Sequence, residues 1–169
     1  HKILLMPTNS SGAAAPKILI VGGGYAGFYT ARKLEKFLRA GEAEVTLVDP
    51  LPYMTYQPFL PEVAAGSIEA RHAVVSLRRH LKTTKVVLGK VTNVNHAKKT
   101  ATISVEGAAS YEQKYDHIVV TAGAVSRTFP IPGVADNAIG LKNIEEAVEV
   151  RNRILANFDK AANLPAGAA

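Results

Sequence analysis

The chain has 169 residues, 47% of them hydrophobic and 20% charged, which is typical of a folded globular domain of ordinary size. It contains no cysteine, which excludes disulfides, thiolate metal sites and a redox-active dithiol, so any electron transfer must use a bound cofactor. The net charge is +6, but the 20 basic residues are spread along the sequence, and we expect no nucleic-acid partner. No apolar run approaches the roughly 18–20 residues that a membrane-spanning helix needs.

Residues 1–15 are expected to form a flexible leader. They combine a short apolar stretch with a run of small residues, and the apolar stretch is too short for a secretory signal. Met6 is a candidate natural start, with residues 1–5 upstream of it.

A glycine-rich turn follows Lys17–Val21, a segment with the composition of a buried parallel strand. Gly22, Gly24 and Gly27 have the spacing G-x-G-x-x-G, and a helical pattern begins at once. Gly22 permits the tight turn, Gly24 lets the backbone approach a pyrophosphate, and Gly27 lets the helix pack close to the strand. The free N–H groups at the helix start favour bound phosphate.

An acidic residue at the end of the second strand supports a nucleotide ligand over an unliganded turn. Val45–Val48 ends in Asp49, 22 residues beyond Gly27, where a carboxylate can accept hydrogen bonds from ribose hydroxyls. The intervening Ala26–Arg39 has helical spacing, and we expect Gly41 to cap that helix. A strand, a helix and a second strand predict an α/β fold with a doubly wound, Rossmann-like parallel sheet.

The segment Pro50–Pro61 has four prolines in twelve residues and is predicted to be a rigid, irregular, apolar loop. It leaves the sheet at the edge where ligands of such folds bind, so we expect it to border the ligand. A loop that is merely packed on the surface is the alternative. Ser67–Leu81 follows, and its apolar spacing predicts a helix with a solvated basic face.

A small antiparallel β insertion is predicted over about residues 85–114. Lys85–Val94 has the pattern of a strand with a glycine kink, and Thr100–Val105 alternates like a half-exposed strand. The apolar strand Tyr115–Val120 then returns to the sheet and ends in a second small-residue turn, Thr121–Gly123.

A closing helix is predicted after Asn143, which can cap it, and residues 163–169 have the composition of a linker. The apolar stripe of that helix consists of Ile144, Ala147, Val148, Ile154, Leu155 and Phe158. No group of side chains has the spacing of a metal site or of a catalytic triad, so we expect the cofactor to supply the chemistry.

From Pro16 to about Ala162, these features resemble the FAD-binding part of the two-dinucleotide-binding-domain flavoproteins. Thr121–Gly123, followed by Ile131-Pro132-Gly133, is similar to the family's "ATG … IPG" element with Thr and Ala exchanged. Within that group, the segment from Tyr56 to Gly66 resembles the "FQPLLYQVATG" segment of type II NADH dehydrogenases.

The resemblance implies bound FAD and a set of residues that hold it, each assigned by its match to a family motif. The pyrophosphate would lie on Gly22, Gly24, Tyr25, Ala26 and Gly27, the ribose on Asp49, and the adenine on the backbone of Val91. The crevice would be lined by Thr121, Ala122 and Gly123, with Gln57 and Leu60 toward the isoalloxazine.

The resemblance also implies the reaction of this family, in which NADH gives hydride to FAD and the flavin reduces a membrane quinone without proton pumping. It implies a peripheral location at the cytoplasmic side of the cell membrane, through a C-terminal region, and it allows a homodimer. A second G-x-G-x-x-G domain for NADH and a "GD" flavin motif are missing from residues 1–169. We therefore expect residues 163–169 to lead toward an NADH-binding domain, and this portion alone to be inactive.

Two other functions fit the sequence. One is a soluble FAD-dependent reductase of the same superfamily, similar to ferredoxin reductases. The other is a non-catalytic nucleotide-binding module.

Overall fold

The computed structural model describes residues 14–165 and residue 167. These residues form nine strands and five α-helices. The strands are β1 (Lys17–Val21), β2 (Glu44–Asp49), β3 (Tyr53–Thr55), β4 (Val74–Ser76), β5 (Lys85–Leu88), β6 (Lys90–Asn95), β7 (Thr100–Ser104), β8 (Tyr111–Lys114) and β9 (His117–Val120). The helices are α1 (Tyr25–Phe37), α2 (Leu60–Ala64), α3 (Leu77–His80), α4 (Val134–Asn137) and α5 (Ile144–Ala162), with 3₁₀ turns at Gln57–Phe59 and Ala70–Ala73. The expected leader lies almost wholly outside the described residues.

A parallel four-stranded sheet, in the order β5-β2-β1-β9, forms the centre of the fold. The chain starts in the middle, builds outward through β2 and β5, and returns to the other side of β1 as β9. The direction of winding therefore reverses between β1 and β9, and ligands of open α/β sheets bind at such a switch point. The predicted α/β class with a Rossmann-like parallel sheet is confirmed.

Both faces of the parallel sheet are covered, which explains why its strands are almost wholly apolar. Alternate residues point to opposite faces, as Leu19 and Ile20 do. On one face α1 and α3 bury Ile20, Phe28, Ala31, Val45, Leu47, Met54, Leu77 and Leu81. On the other face a three-stranded antiparallel sheet, β6-β7-β8, buries Leu19, Val48, Ala101, Ile103 and Tyr115.

Two segments differ from their sequence predictions because tertiary pairing overrides local pattern. The predicted helix over Ser67–Leu81 is wrong, since this stretch forms a 3₁₀ turn, strand β4 and the single-turn helix α3. Its two adjacent valines pair with β3 across an antiparallel ladder instead. Lys85–Val94 is two strands, since β5 joins the parallel sheet and the chain crosses to the antiparallel sheet at Gly89. The antiparallel insertion therefore begins at Lys90.

Smaller corrections concern turns. Helix α1 ends before Leu38, whose N–H bonds the carbonyl of Leu34, so Gly41 does not cap it. The segment Pro50–Pro61 contains strand β3 and a 3₁₀ turn and is not irregular throughout. The polar stretch before Tyr115 includes strand β8.

The closing helix begins where the sequence predicts, because the side chain of Asn143 accepts the N–H of Glu146 at 2.8 Å. Its first two turns bury Ala147 against Leu60, Val63 and Ala73. The rest of the predicted stripe, Ile154, Leu155 and Phe158, is exposed. No helix in the described part of the chain has the length and apolar character to cross a bilayer.

Candidate functional site

A cavity of about 650 Å³ lies at the carboxyl edge of the parallel sheet, where β1, β2 and β9 end. Its walls come from the turns after these strands, the β3 segment and the start of α5. The lining residues are Gly24, Tyr25, Ala26, Asp49, Leu51, Tyr53, Met54, Thr55, Gln57, Val120, Thr121, Gly123, Ala124, Lys142 and Asn143. Segments far apart in sequence thus meet at one site, as expected for a ligand crevice.

The glycine turn after β1 requires glycine for two different reasons. Gly22 has φ +100° and donates its N–H to the carbonyl of Val48 at 2.8 Å, and a Cβ there would clash with the carbonyl oxygen of Thr121. A Cβ on Gly27 would clash with the carbonyl oxygen of Gly22. These two glycines lie behind the cavity wall and shape it without lining it.

Gly24 differs, because a Cβ built there meets no atom within 4 Å. Packing within the chain therefore gives no reason for glycine at this position, which lines the cavity. Gly24 is also the N-cap of α1, and no side chain accepts a hydrogen bond from the first turn, which contains no acidic residue. The positive end of a 13-residue helix is thus left open toward the cavity, which suits an anionic ligand.

The carboxylate of Asp49 lies beside this turn. Its Oδ2 accepts the N–H of Gly23 at 2.6 Å, and its Oδ1 accepts the N–H of Leu51 at 2.7 Å. Each oxygen keeps a further lone pair, so the carboxylate can still accept from a hydroxyl in the cavity. A second recess, of about 490 Å³, starts at the next residue, Pro50, and is lined by β5, β6 and β7 residues.

The turn after β9 is tied to the glycine turn. The Thr121 hydroxyl lies 2.9 Å from the carbonyl oxygen of Val21 and 3.0 Å from that of Gly22, and it can donate to one or share between them. Gly123 has φ +70° and open space around its Cβ position. The two turns lie on either side of the switch point and are joined into one rigid edge by the Thr121 hydroxyl.

The opposite wall is formed by the β3 segment and the start of α5. Tyr53 donates its hydroxyl proton to Glu145 at 3.1 Å, and Gln57 Nε2 donates to the carbonyl of Lys142 at 3.3 Å. Burial, the hydrogen bond to Glu145 and the nearby charges of Glu145 and Asp49 raise the pKa of Tyr53 above its ordinary value. Two bonds that each span more than 80 residues of sequence thus fix this wall.

Seven of the twelve residues assigned from sequence line the cavity: Gly24, Tyr25, Ala26, Asp49, Gln57, Thr121 and Gly123. Leu60 does not, because its side chain is 1% exposed and packs with Val63, Ala73 and Ala147. The expectation that Leu60 faces a ligand is therefore wrong, and its role is to pack α2 against α5. Val91, in β6, packs against the cluster between the two sheets, and neither Val91 nor Ala122 is in the lining.

Sequence reasoning missed Lys142 and Asn143 as parts of the site. The cap signal at Asn143 marks a helix start, but it carries no information on where that start lies in space. Only the folded chain shows that the start of α5 closes the cavity.

Known proteins share this arrangement. A family model described as "Pyridine nucleotide-disulphide oxidoreductase" matches residues 16–162. The chain belongs to this family.

Relatives with curated names extend the likeness. The chain is 35% identical over 153 residues to a type II NADH:quinone oxidoreductase of Staphylococcus aureus, covering 89% of this chain and 36% of that protein. It is 29% identical over 160 residues to the mitochondrial external alternative NAD(P)H-ubiquinone oxidoreductase B2 of Arabidopsis thaliana, covering 89% of this chain and 27% of that protein. Resemblance to the type II NADH dehydrogenases is therefore confirmed.

A solved structure agrees with the fold. NDH2 from Plasmodium falciparum, solved in complex with NADH, superposes with a TM-score of 0.79 at 26% identity, covering 89% of this chain and 30% of that one. The chain spans about a third of the length of the relatives that it matches.

Proposed function

We propose that this chain is the FAD-binding portion of an NADH:quinone oxidoreductase, in which electrons pass from NADH through FAD to a membrane quinone. One observation carries the proposal. The cavity at the switch point combines the open Gly24 turn, the Asp49 carboxylate and the Thr121–Gly123 edge with Gln57, which lies in the segment resembling type II NADH dehydrogenases.

The residues present fit the dinucleotide. The open helix end at Gly24 suits the pyrophosphate, and Asp49 suits the ribose hydroxyls. The second recess begins at Pro50, the residue after Asp49, and Lys90 of β6 is among the residues that line it. This position supports placing the adenine near β6. When bound, FAD supplies a two-electron acceptor that takes hydride from a nicotinamide and passes electrons onward.

The role proposed for this chain's own residues is to bind FAD and to orient it. The rigid edge formed by the two turns holds the phosphate-binding backbone in place without a ligand, which lowers the entropy lost on binding. Tyr53 and Gln57 hold the α5 wall, and Met54 and Val120 add apolar side chains to the lining. NADH and the quinone are the proposed partners, and the finer expectations of a cytoplasmic-side location, a C-terminal membrane contact and a homodimer stay predictions.

The test is to purify the full-length protein and record its absorption spectrum before and after adding FAD. We expect a bound flavin spectrum and NADH-dependent reduction of a short-chain quinone. A flavoprotein that is reduced by NADH but does not reduce quinone supports the soluble reductase. A colourless protein that takes up no FAD supports a nucleotide-binding module and contradicts the proposal.

A further inference from the structure

The fold gathers basic residues that the sequence keeps apart. Glu35, in the middle of α1, accepts the backbone N–H groups of Lys82, Thr83 and Thr84 at 3.1, 2.9 and 2.7 Å. Above them, Phe28 contacts the His80 ring edge-on, with centroids 6.2 Å apart. These contacts place α1 beside α3 and the turn that follows it, so the cations of the two segments form one surface.

This basic surface consists of α1 with its following turn and of residues 77–84. It contains seven Lys and Arg side chains and two carboxylates, a net charge of +5 out of +6 for the whole chain. Glu35 is occupied by the three backbone donors, and Glu42 pairs with Arg39. The cations are Arg32, Lys33, Lys36, Arg39, Arg78, Arg79 and Lys82, all exposed.

The solvent face of α1 adds aromatic side chains to this charge. Its apolar face packs on the sheet through Phe28 and Ala31, whereas the exposed positions from Tyr29 to the end of the helix carry cations and aromatic rings. Tyr29 is 52% exposed and Phe37 is 70% exposed, with the Lys33 ammonium 5.8 Å from the Phe37 ring centre. A shallow recess of about 340 Å³ lies between the two rings.

We propose that this surface binds the anionic headgroups of a lipid bilayer. Clusters of four to eight Lys and Arg beside exposed aromatic rings are the pattern by which peripheral proteins recognise anionic lipid, with the rings at the headgroup boundary. The charge is complementary to such a surface and has no free carboxylate within it. The exposed rings of Tyr29 and Phe37 beside these cations favour a lipid headgroup boundary over a nucleic-acid duplex.

The test is co-sedimentation of the full chain with vesicles of phosphatidylcholine and phosphatidylglycerol in equal amounts, against vesicles of phosphatidylcholine alone. We expect binding to the first only, weakened by salt. The triple variant Lys36→Gln, Arg79→Gln, Lys82→Gln removes three cations whose side chains make no hydrogen bond or ion pair within the described residues. We expect each lost cation to weaken vesicle binding about fivefold, so the triple variant binds about 100-fold more weakly.

The matched control is Lys98→Gln, Lys114→Gln, Lys160→Gln, which removes the same charge from exposed positions on other elements. We expect the vesicle affinity of this control to stay within about twofold of that of the unaltered protein, because those charges lie away from the proposed contact and are screened. Phe37→Ser removes the binding that survives at high salt, while the exposed Phe129→Ser does not.

Three results overturn the proposal: no binding to the anionic vesicles, an equal loss in both triple variants, or tighter binding to a DNA duplex than to the vesicles. Melting temperature and flavin content are recorded for every variant. Vesicle binding needs neither FAD nor quinone. A protein that fails to bind the vesicles therefore contradicts the lipid proposal and not the proposed redox function. A colourless protein that binds the vesicles contradicts the redox function and not the lipid proposal.

Discussion

The carboxylate of Asp49 accepts the backbone N–H of Gly23 at 2.6 Å, linking the end of β2 to the glycine turn after β1. The other oxygen accepts the N–H of Leu51 at 2.7 Å and starts the β3 segment. One side chain thus fixes two of the segments that line the cavity and keeps lone pairs that can accept from a ligand there. The proposed function therefore predicts that stability and cofactor binding are coupled at this residue.

Asp49→Ala is expected to affect both properties. Two N–H groups lose their acceptor, which lowers the free energy of unfolding of the apoprotein by about 1–3 kcal/mol. Loss of the charged acceptor for ribose weakens FAD binding by a further 1.5–3 kcal/mol or so, roughly 10- to 150-fold. Urea unfolding and FAD titration measure the two effects separately. Lower stability with unchanged FAD affinity contradicts the ribose assignment and leaves a structural carboxylate.

Gly24→Val is expected to separate binding from folding. The position has φ −68°, and a Cβ there meets no atom within 4 Å, so the apoprotein accommodates valine. The added methyl groups occupy the space in which the backbone meets the pyrophosphate, and FAD affinity falls by at least about tenfold, the value of one lost charged hydrogen bond. An apoprotein that melts normally and binds FAD normally would show that phosphate lies elsewhere.

Gly27→Ala is the complementary variant, because its Cβ clashes with the Gly22 carbonyl oxygen within the protein itself. We expect a loss of about 1–3 kcal/mol of stability, as in other overpacked cores, with or without FAD. Thermal unfolding of the apoprotein measures it. If Gly27→Ala melts like the unaltered protein, helix α1 does not need its close approach to β1.

The sequence was sufficient for the part of the site that is made locally. The glycines, Asp49 and the turn at Thr121–Gly123 follow directly from strands whose apolar composition identifies them, and the carboxyl ends of parallel strands must share an edge. The cap at Asn143 was predicted because side-chain capping depends on residues three positions apart.

The remaining features depend on pairing between distant segments. The helical spacing of Ser67–Leu81 is real, but the valines of β4 gain more by pairing with β3 than by continuing a helix. Leu60 matched a family segment, and a match in sequence does not say whether a side chain faces the ligand or the core. The basic surface is invisible in the sequence because its two halves are about 45 residues apart.

Tyr53→Phe tests the wall formed by the start of α5. The hydroxyl bonded to Glu145 is lost while the ring is kept, so the wall is held by one bond fewer. We expect FAD affinity to fall about two- to tenfold, the value of an ordinary hydrogen bond. The control is Tyr111→Phe on the exposed edge of β8. Equal FAD affinity in both variants contradicts a positioning role for Tyr53.

The pH dependence of Tyr53 gives an independent measurement. Burial and the Glu145 bond raise its pKa, so the folded state favours the neutral phenol. Its contribution to stability is complete below the unfolded pKa near 10 and is lost as pH rises through the folded pKa. The pKa of Tyr25 is also raised, by burial and by Tyr56 and Tyr29. In an absorbance titration at alkaline pH, we therefore expect Tyr53→Phe to lose one of the late-ionising tyrosines, and Tyr111→Phe to keep them.

Glu35→Gln tests the junction between α1 and the turn at residues 82–84. Burial acts to raise the pKa of Glu35, but the backbone N–H groups of Lys82, Thr84 and Thr83 outweigh it and lower the pKa below its ordinary value. The amide keeps one acceptor oxygen and places a donor against another donor, so stability falls by about 1–2 kcal/mol at neutral pH. Glu149→Gln, which breaks only an exposed pair with Arg153, costs less than about 0.5 kcal/mol.

The difference in stability between Glu35→Gln and the unaltered protein depends on pH in one direction. Because the folded pKa is lowered, the contribution of Glu35 is complete above the ordinary glutamate pKa of 4.5 and is lost as pH falls through the folded value. Urea midpoints measured from pH 7 downward should therefore converge for the two proteins in acid. If the difference in stability between the two proteins stays constant to low pH, the destabilisation by Glu35→Gln does not come from loss of the carboxylate charge that the three N–H groups stabilise.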